Sequence, residues 1–237
     1  TLDVAEDGSV SEGSIRKAVK PDDLHCAISK LFCMENTSSG KVIDIKKLSR
    51  NNSEAKDLGL NVHLDGARFF NAVEGLKCNP EDLAGCADSV SICFSKGLGA
   101  PAGSILCFPK DMEKKVRRQR KILGGALRQA GVLGAACRYA LTNNIKRLKE
   151  DHERAQYLAK AINPYNKTQN DSELQSQTNM VFFEPLENNN KDLVSFLRQR
   201  NILISKPEPK TRLVMHLDIS DEILNTVIKA IEEFYNT

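Results

Sequence analysis

Lys96 and Asp65 are the side chains whose surroundings most suggest chemistry. Lys96 sits in DSVSICFSKGLGAPAGSILCF: an apolar strand, a serine and a lysine, a glycine-rich turn, then a second apolar strand. A lysine held between two buried strands is expected to lose solvation, and burial favours its neutral amine. A neutral amine is a nucleophile, and its commonest use is a Schiff base with an aldehyde. Upstream, NVHLDGARFFNAV places Asp65 at the end of another short apolar strand. An aspartate facing a pyridinium nitrogen and a lysine that takes the aldehyde are the pair a pyridoxal phosphate enzyme needs. Taken alone, Asp65 reads as a helix or turn cap after a strand; together with Lys96 it is expected to face that cofactor.

The elements that must position this pair alternate along the chain as in a parallel α/β layer. Helix text covers 11–19, 44–58 and 110–119, and strand text covers 30–34, 61–65, 89–94 and 104–108. The last three strands are short apolar runs of the kind buried on both faces of one parallel sheet. Asp65 and Lys96 then fall at the C-terminal ends of strands in that one sheet, where open α/β sheets bind ligands. The Ala- and Gly-rich stretch 127–141 suits close helix packing, and 142–162 carries Ile145, Leu148, Ala155, Leu158 and Ile162 on one helical face. A polar loop is expected at 163–177. Strands at 179–184, 202–205 and 212–217, with helices at 192–200 and 221–234, make a smaller α+β unit. The expected domains are therefore 1–141 and 142–237.

The glycines Gly97, Gly99 and Gly103 also suggest a phosphate-cradling turn of nucleotide-binding proteins. Such a turn must open a helix whose N-terminus holds the phosphate, whereas SILCF continues as a strand. The basic run KKVRRQRK at 114–121 is expected to be a solvated helix face, because Asp111 and Glu113 flank it and the whole chain is nearly balanced.

Five blocks, in one order, carry a resemblance. HLDGARFFNA, DSVSICFSKGLGAPAGS, RKILGGALRQAGVLGAACRYAL, ENTSSGKV and TRLVMHLDIS resemble the low-specificity L-threonine aldolase family, over nearly the whole chain. The resemblance implies a fold type I pyridoxal phosphate large domain followed by a small α+β domain. It implies retro-aldol cleavage of L-threonine or L-allo-threonine to glycine and acetaldehyde, with Lys96 holding the cofactor and Asp65 setting the ring electronics. It also gives Arg68 and Ser95 to the cofactor, and Arg212 with Arg68 to the substrate carboxylate. Ser38, Lys121 and Arg128 are placed near substrate. Where the family commonly carries histidine after ENT, this chain has Ser38, a shorter group and a poor base. The family's N-terminal arm, phosphate loop and ring-stacking histidine find no counterpart, so the chain is expected to be an N-terminally truncated relative. Other Cα chemistry on the same scaffold, such as racemisation or β-elimination, stays open, as does a non-catalytic homologue.

Composition bounds the remaining classes. The 34 basic and 31 acidic residues leave a formal charge of +3, which points to neither nucleic acid nor a membrane surface as partner. No apolar run approaches the ~20 residues of a membrane-spanning helix, and no signal-type segment opens the sequence. The seven cysteines lack metal-ligand spacing. Cys33, Cys93, Cys107 and Cys137 lie in apolar text and are expected to be buried thiols of a reducing, cytoplasmic compartment. His63, His152 and His216 are expected to be structural. No metal site is expected, and by resemblance the full protein is expected to be a homodimer or homotetramer.

Overall fold

The computed structural model describes residues 1–167, 174, 176–187 and 192–236. Its contacts divide the chain into two units, Thr1–Lys146 and Arg147–Thr237. The division falls a few residues beyond Leu141. Residues 168–173 and 175 of the stretch expected to be a loop lie outside the described residues.

In the first unit, α1 (Ser14–Ala18) is followed by β1 (Leu31–Glu35), α2 (Ile45–Asp57), β2 (Asn61–Gly66), α3 (Phe69–Leu76), α4 (Pro80–Ala84) and β3 (Ser89–Cys93). Asp44 starts α2 by accepting the Lys46 N–H at 2.7 Å, satisfying one of the donors a helix start leaves over. Strands β1, β2 and β3 are parallel, with Glu35 opposite Asp65 and Asp65 opposite Ser91. β4 (Ser104–Cys107) completes the sheet as an antiparallel neighbour of β3. This corrects the expectation of one parallel sheet. A parallel neighbour needs a crossover of a dozen or more residues, and the chain between Phe94 and Gly103 is too short to supply one. After β4 come α5 (Glu113–Ile122) and α6 (Gly131–Asn143).

The strands are also not buried on both faces. β1 and β2 alternate strictly, so that Phe32, Met34, Val62 and Leu64 point into a core built with Ile15, Leu48, Ala55, Ala72 and Leu83 of the helices. Leu31, Cys33, Asn61 and Asp65 point the other way and are exposed. All helices contributing to this core pack on the same sheet face, which leaves the opposite face to the alternate residues. β4 is exposed along its whole length. Consequently Cys33 and Cys107 are exposed and Cys93 and Cys137 only half-buried, against expectation, whereas Cys86 is buried; all seven thiols are free.

The second unit comprises α7 (Leu148–Ile162), β5 (Met180–Phe183), α8 (Leu193–Arg198), β6 (Thr211–Val214) and α9 (Asp221–Asn236), with β5 and β6 antiparallel. Its core joins Leu158 and Ile162 of α7 to Val181, Phe183, Leu197, Ile231 and Phe234. Asp151 is fully buried and takes the Arg147 guanidinium fork from one turn earlier, so that its charge is both paired and hydrogen-bonded. The expected strand at 202–205 is irregular. Ile202 and Ile204 still pack on the core, but Asn201 turns the chain with φ 59°, and Pro207 and Pro209 follow, neither with an N–H to give a ladder. Among the described residues no helix is long and apolar enough to cross a membrane.

Candidate active site

Asp65 and Lys96 end adjacent parallel strands. Asp65 is the penultimate residue of β2, and its carboxylate accepts the Ala67 N–H at 2.9 Å. Its main-chain carbonyl accepts the Asn36 N–H at 3.1 Å, which ties the end of β2 to the turn leaving β1. The next residue must be glycine for packing reasons: a Cβ on Gly66 would lie 2.7 Å from the Ser91 carbonyl oxygen. The Asp65 carboxylate thus leaves a strand end that is fixed on both sides.

Lys96 follows β3 in a turn closed by its own backbone. The Gly99 N–H donates to the Lys96 carbonyl at 2.8 Å, the Ala100 N–H to Phe94 at 2.9 Å, and the Phe94 N–H to Gly103 at 3.0 Å. Leu98 is buried as the plug of this loop, and its carbonyl accepts Asn144 Nδ2 at 2.7 Å. Gly99 has φ 72° and Gly103 φ 120°, values at which a side chain would be strained. The chain emerges from Gly103 into β4 and not into a helix, which removes the nucleotide-loop alternative. Burial of Lys96, however, is not observed. Its side chain is exposed, because only the loop backbone and Leu98 turn inward. Among the described residues it is in no ion pair, so its amine is uncommitted. Ser95 is exposed beside it, 3.4 Å from Cys93 Sγ.

Ser38 stands on the turn after β1. It exchanges main-chain hydrogen bonds with Lys41 at 2.9 and 2.8 Å, and its Oγ donates to Glu35 Oε1 at 2.5 Å. Buried Asn36 holds the same turn by bonding both the N–H and the carbonyl of Ile43, at 3.1 and 3.0 Å. Glu35, Ser38 and Asp65 together line one open cleft of about 610 Å³ whose remaining walls are mostly apolar, among them Phe32, Met34 and Ile43. Lys96, Ser95 and Arg68 are not part of that lining. Arg68 is half-buried at the start of α3. Lys121 and Arg128 are exposed on either side of the Gly124–Gly125 turn. Arg212 is exposed on β6 of the second unit.

The remaining charged and polar groups behave as structure. His63 shares a 2.8 Å hydrogen bond with Ser89, His152 is buried on α7, and His216 approaches Asp218. Cys33 lies two residues before Glu35 on the same face. Burial pushes its thiol up, and the Asp65 carboxylate pushes it further. Glu35 is the residue that spacing did not single out. Its place at the end of the β1 alternation, three residues before Ser38, was the available signal. Thr37 also belongs to this rim, where its Oγ1 is buried without a hydrogen-bond partner among the described residues.

These groups fit a pyridine aldehyde cofactor. An amine in no ion pair after β3 and a carboxylate at the neighbouring strand end are the lysine and the pyridinium partner such a group uses, and the Thr37 hydroxyl of the turn after β1 is left without a partner among the described residues. Among the described residues no cluster of three or more His, Cys, Asp or Glu side chains could hold a metal.

The family model described as beta-eliminating lyase matches residues 1–185. The low specificity L-threonine aldolase of Escherichia coli K12 is 40% identical over 226 residues, covering 95% of this chain and 66% of that protein. The chain thus spans just under two thirds of that relative's length. Low-specificity L-threonine aldolase 1 of Arabidopsis thaliana is 32% identical over 243 residues, covering 98% of this chain and 67% of that protein. A solved threonine aldolase of Leishmania major superposes with a TM-score of 0.80 at 19% identity, over 98% of this chain and 69% of that one, a likeness of fold. With the family model matched over most of its length and these relatives aligned to nearly all of this chain, it belongs to the beta-eliminating lyase family and, within it, groups with the low-specificity L-threonine aldolases.

Proposed function

We propose that this chain carries the catalytic part of a pyridoxal phosphate-dependent aldehyde-lyase that cleaves L-threonine and L-allo-threonine to glycine and acetaldehyde. The observation that carries the reading is the placement of Asp65 and Lys96 at the C-terminal ends of neighbouring parallel strands, in a family whose relatives bear that name. When bound, the cofactor's ring takes up the electron pair left on Cα as the Cα–Cβ bond breaks.

The chain's own groups have separate tasks. Lys96 Nζ would be the amine that holds the cofactor's aldehyde. Asp65, held by the Ala67 N–H, would offer its negative charge to the ring nitrogen and so favour the protonated ring. Ser95 and Arg68 are donors toward the cofactor. Arg212 is the planar fork that the resemblance assigns to the substrate carboxylate, a bidentate task suited to arginine. Lys121 and Arg128 are assigned to the substrate side. Ser38, on the cleft it shares with Asp65, faces the β-hydroxyl.

The protein is proposed to act as a homo-oligomer. Ile105, Leu106, Ile122, Leu123, Val132 and Tyr139 are exposed between β4 and α6, an apolar series that a second copy would cover. Free thiols throughout favour the cytoplasm. The test is to load the natural protein with cofactor and supply L-threonine. Equal amounts of glycine and acetaldehyde are expected. Racemised threonine or 2-oxobutanoate without acetaldehyde would replace this reading by racemase or β-lyase chemistry.

A further inference from the structure

We infer that Glu35 is a positioning residue for the cleavage step, holding the Ser38 hydroxyl and receiving through it the proton of the substrate's β-hydroxyl. This rests on the proposed aldolase reading. Ser38 Oγ donates to Glu35 Oε1 at 2.5 Å, and both line the cleft that Asp65 also lines. Glu35 is the strand-register partner of Asp65, so the two carboxylates stand side by side on one rim. The turn that presents Ser38 is fixed by the Ser38–Lys41 and Asn36–Ile43 exchanges. Gly8 packs so closely that a Cβ there would lie 2.3 Å from Ser38 Cβ. The nearby cation Lys41 is occupied by Glu6 at 2.7 Å. Among the described residues Glu35 is in no ion pair, and the Ser38 hydroxyl is the partner its carboxylate has.

A serine hydroxyl alone cannot retain a proton taken from an alcohol, because its own proton must leave first. Glu35 supplies the place for it. The β-O–H bond breaks and its proton passes to Ser38 Oγ while the Ser38 proton passes to Glu35 Oε1. The freed O–H electron pair becomes the new C=O bond of the aldehyde. The Cα–Cβ bond breaks and its electron pair is left on Cα, where the cofactor, when bound, would serve as the electron sink. Glu35 is exposed and returns the proton to solvent.

The experiment uses the natural protein loaded with pyridoxal phosphate, with Glu35→Gln, Glu35→Asp and Ser38→Ala variants. Three quantities are measured: acetaldehyde release from L-threonine, exchange of the glycine α-hydrogen in D₂O, and dissociation constants for threonine and 2-aminobutyrate from cofactor absorbance. E35Q should lower kcat for cleavage about a hundredfold with KM nearly unchanged. Its glycine exchange should match the parent, and Glu35→Asp should recover part of the loss. Ser38→Ala should erase the binding preference for threonine over 2-aminobutyrate, which lacks the hydroxyl. Parental cleavage by E35Q, or equal loss of cleavage and glycine exchange, overturns the inference alone. A parent that exchanges glycine but releases no acetaldehyde overturns the proposed function and the inference with it.

Discussion

Asp65 acts on its surroundings before any ligand is considered. Its carboxylate shares the open sheet face with Cys33, whose thiol is pushed up by burial first and by Asp65 second. Replacing Asp65 by asparagine removes the second contribution and keeps the shape. The fraction of Cys33 present as thiolate at mildly alkaline pH should rise, and alkylation of Cys33 should speed up by roughly twofold or more. Mass-spectrometric timing of iodoacetamide labelling at Cys33, against Cys107 as internal reference, measures this. An unchanged Cys33 rate would show that the Asp65 carboxylate does not act on this thiol. The strand-end places of Asp65 and Lys96 were legible because each follows a short apolar run, and strand ends are where such sheets bind ligands. Glu35 was not legible. A glutamate ending a strand resembles any solvated strand end until the turn folds Ser38 back upon it.

At the scale of elements, the pattern of apolar residues located most strands and helices, because periods of two and of 3.6 report which face is buried, but it missed the short helices α3 and α4. It did not report direction or cover. β4 runs antiparallel because its connection is too short to cross over, and that could have been read from loop length. The one-sided burial of β2 was written in the alternation of NVHLDG, where Asn61, His63 and Asp65 interrupt the apolar run. The segment 202–205 has strand composition but no partner strand, since pairing is a tertiary property that propensity cannot contain. Gly66 is where two elements meet most tightly. A Cβ there would stand 2.7 Å from Ser91 O and 3.0 Å from Phe69 Cβ. Gly66→Ala should therefore push β2 from β3 or from α3 and cost about 1–3 kcal/mol. Urea unfolding of the two proteins gives the difference directly, and an unchanged midpoint would show that the sheet yields without cost.

For the molecule as a whole, stability is expected to fail separately in alkali at the second unit. Tyr235 stacks on Tyr165 with ring centroids 4.7 Å apart and donates to the Leu186 carbonyl at 2.9 Å. Burial pushes its hydroxyl from the ordinary 10 up to about 12. A raised folded value favours the protonated form, so this contribution is whole below about pH 10 and is lost as pH rises to about 12. Tyr235→Phe should flatten that limb when unfolding midpoints at about pH 9 and about pH 11.5 are compared. The same steep fall in both proteins would place the alkaline weakness elsewhere.

The central claim concerns which amine of this chain meets the cofactor. The natural protein, loaded with pyridoxal phosphate, can be reduced with borohydride, digested and mapped by mass spectrometry. The account predicts one pyridoxyl adduct, on Lys96, and its disappearance in Lys96→Ala. An adduct on another lysine of the parent protein would contradict it.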